Sequence, residues 1–389
     1  MIRLLSLTVA AFAIGISEFV LVGLLPTIAA ETDVSIGTAG LLVTFYALAI
    51  TALSPLLTSW LSRYDSRWAL VALMIAFAAG NVLVATAGGF TGLLIGRVLA
   101  GAAHGTVFAL GAPAAAAIVP KDKAARAISL MFLGLTVAMV IGVPLGTIIG
   151  NAVGWRTTFV IVAALGGIAA LAIALLIPST RTGESVSLRE QLALLKDRPV
   201  AMTYLVTGLG FGATFAVFTY LEPLLTGPAG YTTTGVALAL FLFGGATVIG
   251  NLAGGALADR IGTVRVIRIA LAGLIVAFLS LLLTSSSSVG IAIVIAVWGV
   301  FAFLISPPVQ THAVALASSR GPGAEKAASG LNIAAFNGGI ALASWAGGML
   351  VETTGVAQTP WVALTLAVLA LITSLAITRP TQHHGTSRG

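Results

Sequence analysis

Long apolar runs alternate with short polar connectors along this chain, and the runs set its architecture. Twelve stretches of about 20 residues or more are dominated by Ala, Leu, Ile, Val, Gly and Phe. They cover approximately 5–29, 36–61, 68–87, 90–119, 125–150, 156–178, 199–226, 232–258, 264–285, 288–317, 325–351 and 360–378. Runs of that length cross a bilayer as helices, whereas the strands of a membrane barrel alternate over about 10 residues. The pattern predicts an all-α membrane protein with twelve transmembrane helices. Most connectors are short and hold turn formers or charges, as expected between antiparallel helices.

Residues 179–198 are the exception, a longer polar segment rich in charge. The spans therefore group as a six-helix bundle (1–178), a cytoplasmic linker (179–198) and a second six-helix bundle with a short cytoplasmic tail (199–389). Within the linker, Leu188, Leu192 and Leu195 share one helical face. That face predicts an amphipathic helix lying on the membrane surface, with a merely solvated linker as the alternative. The halves carry a weak repeat: Thr38-Ala-Gly40 opens the second span much as Thr234-Gly235 opens the eighth. Two pseudo-symmetric halves related by an axis along the membrane normal are a transporter plan.

The beginning of the chain imitates a secretory signal, with Arg3 followed by an apolar run ending near Ala29-Ala30. The run is longer than a signal core of about 7–15 residues and carries Glu18 in its middle, so a retained first helix is expected.

Composition agrees with lipid as the solvent. Of 389 residues 58% are hydrophobic and only 8% charged, against about 25% charged in soluble domains. There is no cysteine, hence no disulfide framework and no thiol chemistry. The net charge of +7 would suggest nucleic acid, but its placement argues otherwise. With the N-terminus cytoplasmic, 17 of the 19 basic residues fall in cytoplasmic segments, leaving Arg156 outside and Arg97 within a span. That is the positive-inside distribution, and it predicts two cytoplasmic termini.

The most specific local pattern is Gly255-Ala-Leu-Ala-Asp259-Arg260-Ile-Gly262-Thr-Val-Arg265, between the eighth and ninth spans. The equivalent first-half turn, Ser59-Trp-Leu-Ser-Arg63-Tyr-Asp65-Ser-Arg67, keeps charges but loses the glycine and the Asp-Arg order. The fifth span holds Gly142-Val-Pro144-Leu-Gly146 and Gly150, small residues recurring every fourth position on one face against which another helix can pack. The first span holds Ser17-Glu18-Phe19 and Gly23-Leu-Leu-Pro26, and the eleventh Leu331-Asn332 and Phe336-Asn337-Gly338-Gly339.

Together these stretches resemble the major facilitator superfamily. The likeness is to its drug:proton antiporter branch, particularly arabinose-efflux-permease-like, sugar-efflux and chloramphenicol-resistance exporters. The resemblance implies the major facilitator fold, a gating role for Gly255, Asp259, Arg260, Gly262 and Arg265, and an antiporter signature at Gly142, Pro144, Gly146 and Gly150.

Charges inside a membrane cost at least about 2.5–3.5 kcal/mol each at a span centre, so those present need a reason. Glu18 and Arg97 lie well within spans, with His104 as a titratable companion. Arg97, Gly101, His104, Gly105 and Phe108 form one stripe, Arg97 and His104 about 10 Å apart along it. If the first and fourth spans are neighbours, as in the family, Glu18 approaches that stripe. Glu18 is then either a carboxyl group that loads and releases a proton, with Arg97 and His104 beside it, or a fixed ionic partner of Arg97 that locks two helices. Candidate substrate contacts are Tyr220, Glu222, Gln310, Asn332, Phe336 and Asn337, with interhelical hydrogen bonding as the alternative for the two asparagines. Pro307-Pro308 interrupts the tenth span, as a break near a binding site does.

An intramembrane enzyme would need clustered nucleophiles, acids or metal ligands at membrane depth. Only His104 and His312 lie in spans, and no H-E-x-x-H or G-x-S-x-G occurs within one. The expectation is a proton-coupled antiporter of the bacterial inner membrane, exporting small organic molecules such as sugars or drugs by alternating access. The alternative is a proton-independent facilitator or importer. No cofactor or metal is implied. The expected partners are a small-molecule substrate, protons and the lipid bilayer, without nucleic acid, and the chain is expected to act as a monomer.

Overall fold

The computed structural model describes residues 2–120, 123–179, 188–227, 229–284, 287–320 and 324–377. Among them, twelve helices are long and apolar enough to cross a membrane. They are α1 (Ile2–Gly23), α2 (Ile36–Leu61), α3 (Ser66–Thr86), α4 (Phe90–Ala117), α5 (Arg126–Val153), α6 (Trp155–Leu176), α7 (Arg198–Phe218), α8 (Thr233–Ile261), α9 (Thr263–Thr284), α10 (Ser288–Ala317), α11 (Ala324–Thr354) and α12 (Val356–Leu375). The described residues contain no β-strand.

Several starts are fixed by side-chain caps, which satisfy backbone donors that the first helical turn leaves free. Ser35 Oγ accepts from Thr38 N (3.1 Å), Asp65 from Arg67 N (2.9 Å), Thr232 from Gly235 N (3.2 Å) and Ser287 from Gly290 N (3.1 Å). Ser35 and Thr232 open α2 and α8, the two spans whose beginnings are alike in sequence. Gly262 ends α8 at φ 90°, a left-handed backbone that a residue with a Cβ adopts only under strain. The outer surface is apolar: Leu283 is 87% exposed, Leu342 70% and Leu252 69%. No water-soluble surface carries leucine this way at so many positions; lipid covers it.

Several apolar runs are not single helices. In 5–29, the α-helix ends at Phe19, a 3-10 turn spans Val20–Gly23, and a short helix Leu25–Glu31 begins around Pro26. In 199–226, the α-helix ends at Phe218 and a short helix Leu221–Thr226 follows. These breaks fall at matching places in the two halves. In α5 a π-turn at Ala138–Gly142 precedes Pro144, and α10 breaks at Ile305 before Pro307-Pro308; in both, proline lacks the N–H that the ladder needs.

The packing repeats when six is added to each helix number. In the first half α1 packs on α5 and α6, α2 on α4, and α3 on α4 and α6; in the second α7 packs on α11 and α12, α8 on α10, and α9 on α10 and α12. Gly142, Gly146 and Gly150 face Ile16, Val20 and Leu24 of α1 and the turn that follows it, so the small-residue face receives a ridge with the same four-residue spacing.

The halves meet along α2–α11 and α5–α8. Of the described basic residues, all but Arg97 and Arg156 lie toward one membrane face, here the basic face; Lys121, Arg181, Arg379 and Arg388 lie outside the described residues. Contact between the halves concentrates away from that face. The π-turn and the segment after it in α5 pack on α8, whereas Ala124–Val137, nearer the basic face, makes no extensive contact with the second half. The molecule is closed at the opposite face and parted toward the basic one.

The linker helix Leu188–Leu194 docks on the beginning of α11 and also touches α2. Its packed face is not the one the leucine spacing suggested. Leu194 and Gln191 are buried, while Leu192 and Leu195 are 49% and 43% exposed; the side chain of Leu188 lies outside the described residues. The helix pairs with protein through Gln191 and Leu194, and Leu192 and Leu195 point outward.

Candidate functional site

Within the first half, Arg97 is fully buried, with Nε and Nη1 bonded and Nη2 left without a hydrogen-bond partner. Its Nη1 donates to Ser17 O (2.7 Å), its Nε to Leu42 O (3.2 Å), and its guanidinium carbon sits 3.8 Å from the centre of the Tyr46 ring. Carbonyl bonds from a charged donor contribute about 1.5–3 kcal/mol each and a desolvated cation–π contact about 2, which together offset the cost of an intramembrane cation. Ser17 Oγ donates on to Asn81 Oδ1 (2.8 Å), whose amide holds Phe77 O (2.8 Å), so α1, α2, α3 and α4 are tied at one level. His104 Nδ1 meets the Tyr46 hydroxyl at 3.1 Å, and its ring lies 5.2 Å from that of Phe108.

Glu18 belongs to this cluster but is not consumed by it. It is 8% exposed, and its carboxylate accepts no hydrogen bond and forms no ion pair among the described residues, although Arg97 acts on it electrostatically. The helix-locking version of Glu18 therefore needs correction. Arg97 does tie α1 to α2, but through the carbonyls of Ser17 and Leu42. Tyr46, Ser17 and Asn81 were not singled out in the sequence; a tyrosine and an asparagine inside apolar runs were the available signal.

In the second half, Asn332 Nδ2 donates to Gln310 Oε1 (2.7 Å), Gln310 Nε2 to Ser329 Oγ (2.6 Å), and Thr207 Oγ1 to Asn332 Oδ1 (2.7 Å). Gln310, Ser329 and Phe336 keep partial exposure. Phe336 packs edge-on against Phe211 (4.1 Å between centroids), with Phe215 behind at 6.2 Å. Gln310, Asn332 and Phe336 are thus brought together, joined by Thr207, Ser329 and Phe211. Asn337 is set apart: it is buried, its Nδ2 returns to Ile333 O, and its Oδ1 has no protein partner.

Tyr220 and Glu222 do not line the parted side. The break after Phe218 turns them into the closed end. Tyr220 is fully buried, donates to Ser344 O (2.7 Å) and wedges between Gly40 and Gly347-Gly348. Glu222 is 5% exposed with Oε2 unpartnered, in the short helix that packs on Val20–Gly23 and Leu25–Glu31. Placing them as substrate contacts assumed a continuous helix; in this state they are part of the seal.

The turn between α8 and α9 stands on the basic face. Gly255 lies 4.0 Å from Pro307 measured from a Cβ position, Asp259, Arg260 and Arg265 are exposed, and Asp259 makes no hydrogen bond or ion pair among the described residues. The degenerate first-half turn is the engaged one: Asp65 caps α3 and accepts from Ser179.

Residues 7–324 match the family described as Major Facilitator Superfamily. The chain belongs to that superfamily. It is 42% identical to the uncharacterized MFS-type transporter YtbD of Bacillus subtilis (strain 168), over 95% of this chain and 93% of that one. It is 39% identical to the inner membrane transport protein YdhP of Escherichia coli (strain K12), over 95% and 94%. With a chloramphenicol resistance protein of Streptomyces lividans it shares 33% identity over 94% and 93%. The fold is shared with a bacterial homolog of the human lysosomal transporter Spinster in an inward-facing, occupied conformation. The TM-score is 0.78 at 19% identity, covering 97% of this chain and 96% of that one. This major facilitator chain is a multi-pass membrane transporter that handles a small-molecule substrate, and not an enzyme.

Proposed function

We propose that this transporter is a proton-coupled antiporter that exports a small organic molecule across the bacterial inner membrane. Both termini and the basic face are cytoplasmic in this reading, as the distribution of Lys and Arg supports. Residues 1–178 and 199–389 are the two bundles that rock against each other, joined by 179–198. The state described above is then the cytoplasm-facing one. Substrate enters between the bundles and rests against Gln310, Asn332 and Phe336, with Thr207, Ser329 and Phe211 completing the surface. Asp259 and its neighbours engage when that side closes. The chloramphenicol resistance relative supports export over uptake.

One observation carries the coupling. Glu18 is a buried acid whose carboxylate accepts no hydrogen bond among the described residues, beside an arginine that gives Nε and Nη1 to backbone carbonyls and keeps Nη2 unpartnered. A carboxylate pinned by an ion pair would stay ionised through the cycle; one held next to a cation without being bonded to it changes state as its access to water changes. Glu18 takes up a proton when open outward and gives it up when open inward, while substrate leaves the other way.

The test is uphill efflux in proteoliposomes under an imposed pH difference. Glu18→Gln keeps size and hydrogen-bonding capacity but fixes the group neutral. It is expected to insert and to move substrate downhill, yet to lose pH-driven accumulation. If it pumps as well as the parent, coupling passes to Glu222 or His104. A parent protein indifferent to the gradient would establish the facilitator reading instead.

A further inference from the structure

The closed end is held by one contact between spans that nothing above uses. Glu352, in the last turn of α11, reaches the beginning of α2. The Thr38 N–H donates to Glu352 Oε1 at 3.2 Å, and the Ser35 hydroxyl donates to the same oxygen. Ser35 also caps its own helix at Thr38 N. The first turn of a helix from one half is therefore capped jointly, by its own serine and by a carboxylate from the other half. That geometry satisfies free N–H groups and places negative charge at the positive end of the helix dipole.

The approach is possible because both backbones are bare there. A Cβ on Gly37 would come within 2.6 Å of Gly348 O and 2.7 Å of Glu352 Cγ; one on Gly348 would come within 3.0 Å of Gly37 O. Just below, Tyr220 fills the space beneath Gly40 and Gly348. Three layers thus close this end in sequence: the Glu352 cap, the glycine pair and the tyrosine wedge. The glycines and the tyrosine fit by shape, and any outward swing separates them gradually. The cap is directional and is lost as soon as the two helix ends part.

We propose that Glu352 is the positioning residue that sets the closed state of the outer end, acting as a removable cap on α2. When it disengages, Ser35 alone keeps α2 capped, so the helix survives opening while the cross-half bond does not. The assignment rests on alternating access by a transporter and is independent of which ion or solute is coupled. Glu18 can fail as the proton carrier without affecting it.

The native chain has no cysteine, so an introduced pair is the only labelled pair. Spin labels at Ala30→Cys and Thr354→Cys, one on each half at the closed end, report its width in detergent or nanodiscs by pulsed dipolar spectroscopy. Removing one exposed charge-assisted bond is expected to move the closed-to-open ratio about tenfold toward open in Glu352→Ala. Glu352→Gln, which keeps an acceptor without the charge, is expected to lie between. Ser35→Ala, which removes the partner on α2, should shift the ratio in the same direction, and Thr353→Ala should leave it unchanged. Ser35→Ala also decides the matter if Glu352→Ala does not fold. A distance distribution identical to the parent in Glu352→Ala, or in Ser35→Ala where that variant stands alone, overturns the proposal. So does an equal shift in Thr353→Ala.

Discussion

The first half places Glu18, Arg97 and His104, three side chains able to carry charge, in one cluster with Tyr46. Nearer the basic face, the second half holds Thr207, Gln310, Ser329 and Asn332, all neutral and bonded into a chain beside Phe211 and Phe336. The helices around the two clusters pack alike, so the difference lies in side chains and not in architecture. Charges at this depth cost more than neutral amides, and the first half offsets the cost by spending two carbonyls and an aromatic face on Arg97. The second half has no such expense and keeps its amides at a partly exposed surface. In the proposed mechanism a fold with two similarly packed halves gives one half to ion handling and the other to substrate.

Arg97 is where that contrast should break most severely. Arg97→Lys keeps the charge but has neither the planar fork that reaches Ser17 and Leu42 at once nor the face that stacks on Tyr46. Losing one carbonyl bond and the stack amounts to about 3 kcal/mol, which predicts roughly a hundredfold loss of initial efflux rate. Rate and melting temperature measured on the same purified sample check it. A lysine variant that transports like the parent would mean that charge alone matters, and that the carbonyl clamp is incidental.

Asn332 is the point to probe in the neutral cluster. Asn332→Leu leaves Gln310 Oε1 without its present partner, while the Thr207 hydroxyl keeps only Thr203 O. Unpaired polar groups at a binding surface cost about 1–1.5 kcal/mol, or close to tenfold in KM. The ratio of protons to substrate should not change. Transport kinetics with a pH-sensitive dye inside the vesicles separates the two quantities. If the ratio moves while KM stays, the two halves do not divide the work.

The fold was open to reading from the sequence because a twenty-residue apolar run has one meaning in a membrane, and spacing of four revealed the glycine face that receives Ile16, Val20 and Leu24. The Arg97-to-Phe108 stripe was legible for the same reason, since periodicity within one helix survives without knowledge of neighbours. What lay across helices was not. Tyr46, Ser17 and Asn81 join Arg97 from positions 16 to 80 residues away. Thr207 gives no signal at all, because its hydroxyl also satisfies itself on Thr203 O, as threonines in helices commonly do. Tyr220 and Glu222 were misplaced by a helix break that hydropathy cannot register, and the docked face of the linker by leucine spacing of which Leu192 and Leu195 face outward.

His104 supplies the smallest expected effect and the finest test of the division between halves. Its ring is buried between Tyr46 and Phe108, and its one hydrogen bond runs to the Tyr46 hydroxyl. Tyr46 in turn carries the Arg97 guanidinium on its face. His104 is hydrogen-bonded to the ionic layer through Tyr46, feels the Arg97 charge through space, and makes no hydrogen bond to Glu18. Replacing it with Phe preserves ring packing and removes the bond, which leaves the tyrosine free to rotate under Arg97. A single neutral hydrogen bond contributes about 1 kcal/mol, so the expected loss of efflux rate is about fivefold, with a displaced pH optimum and an unchanged requirement for the pH gradient. His104→Ala adds a cavity beside Phe108 and Phe132 and should cost somewhat more for packing reasons alone. The diagnostic is therefore the phenylalanine variant measured across a range of pH. If gradient-driven efflux disappears altogether in His104→Phe, the imidazole is itself a proton carrier, and the first half holds a relay in which Glu18 is one of two stations.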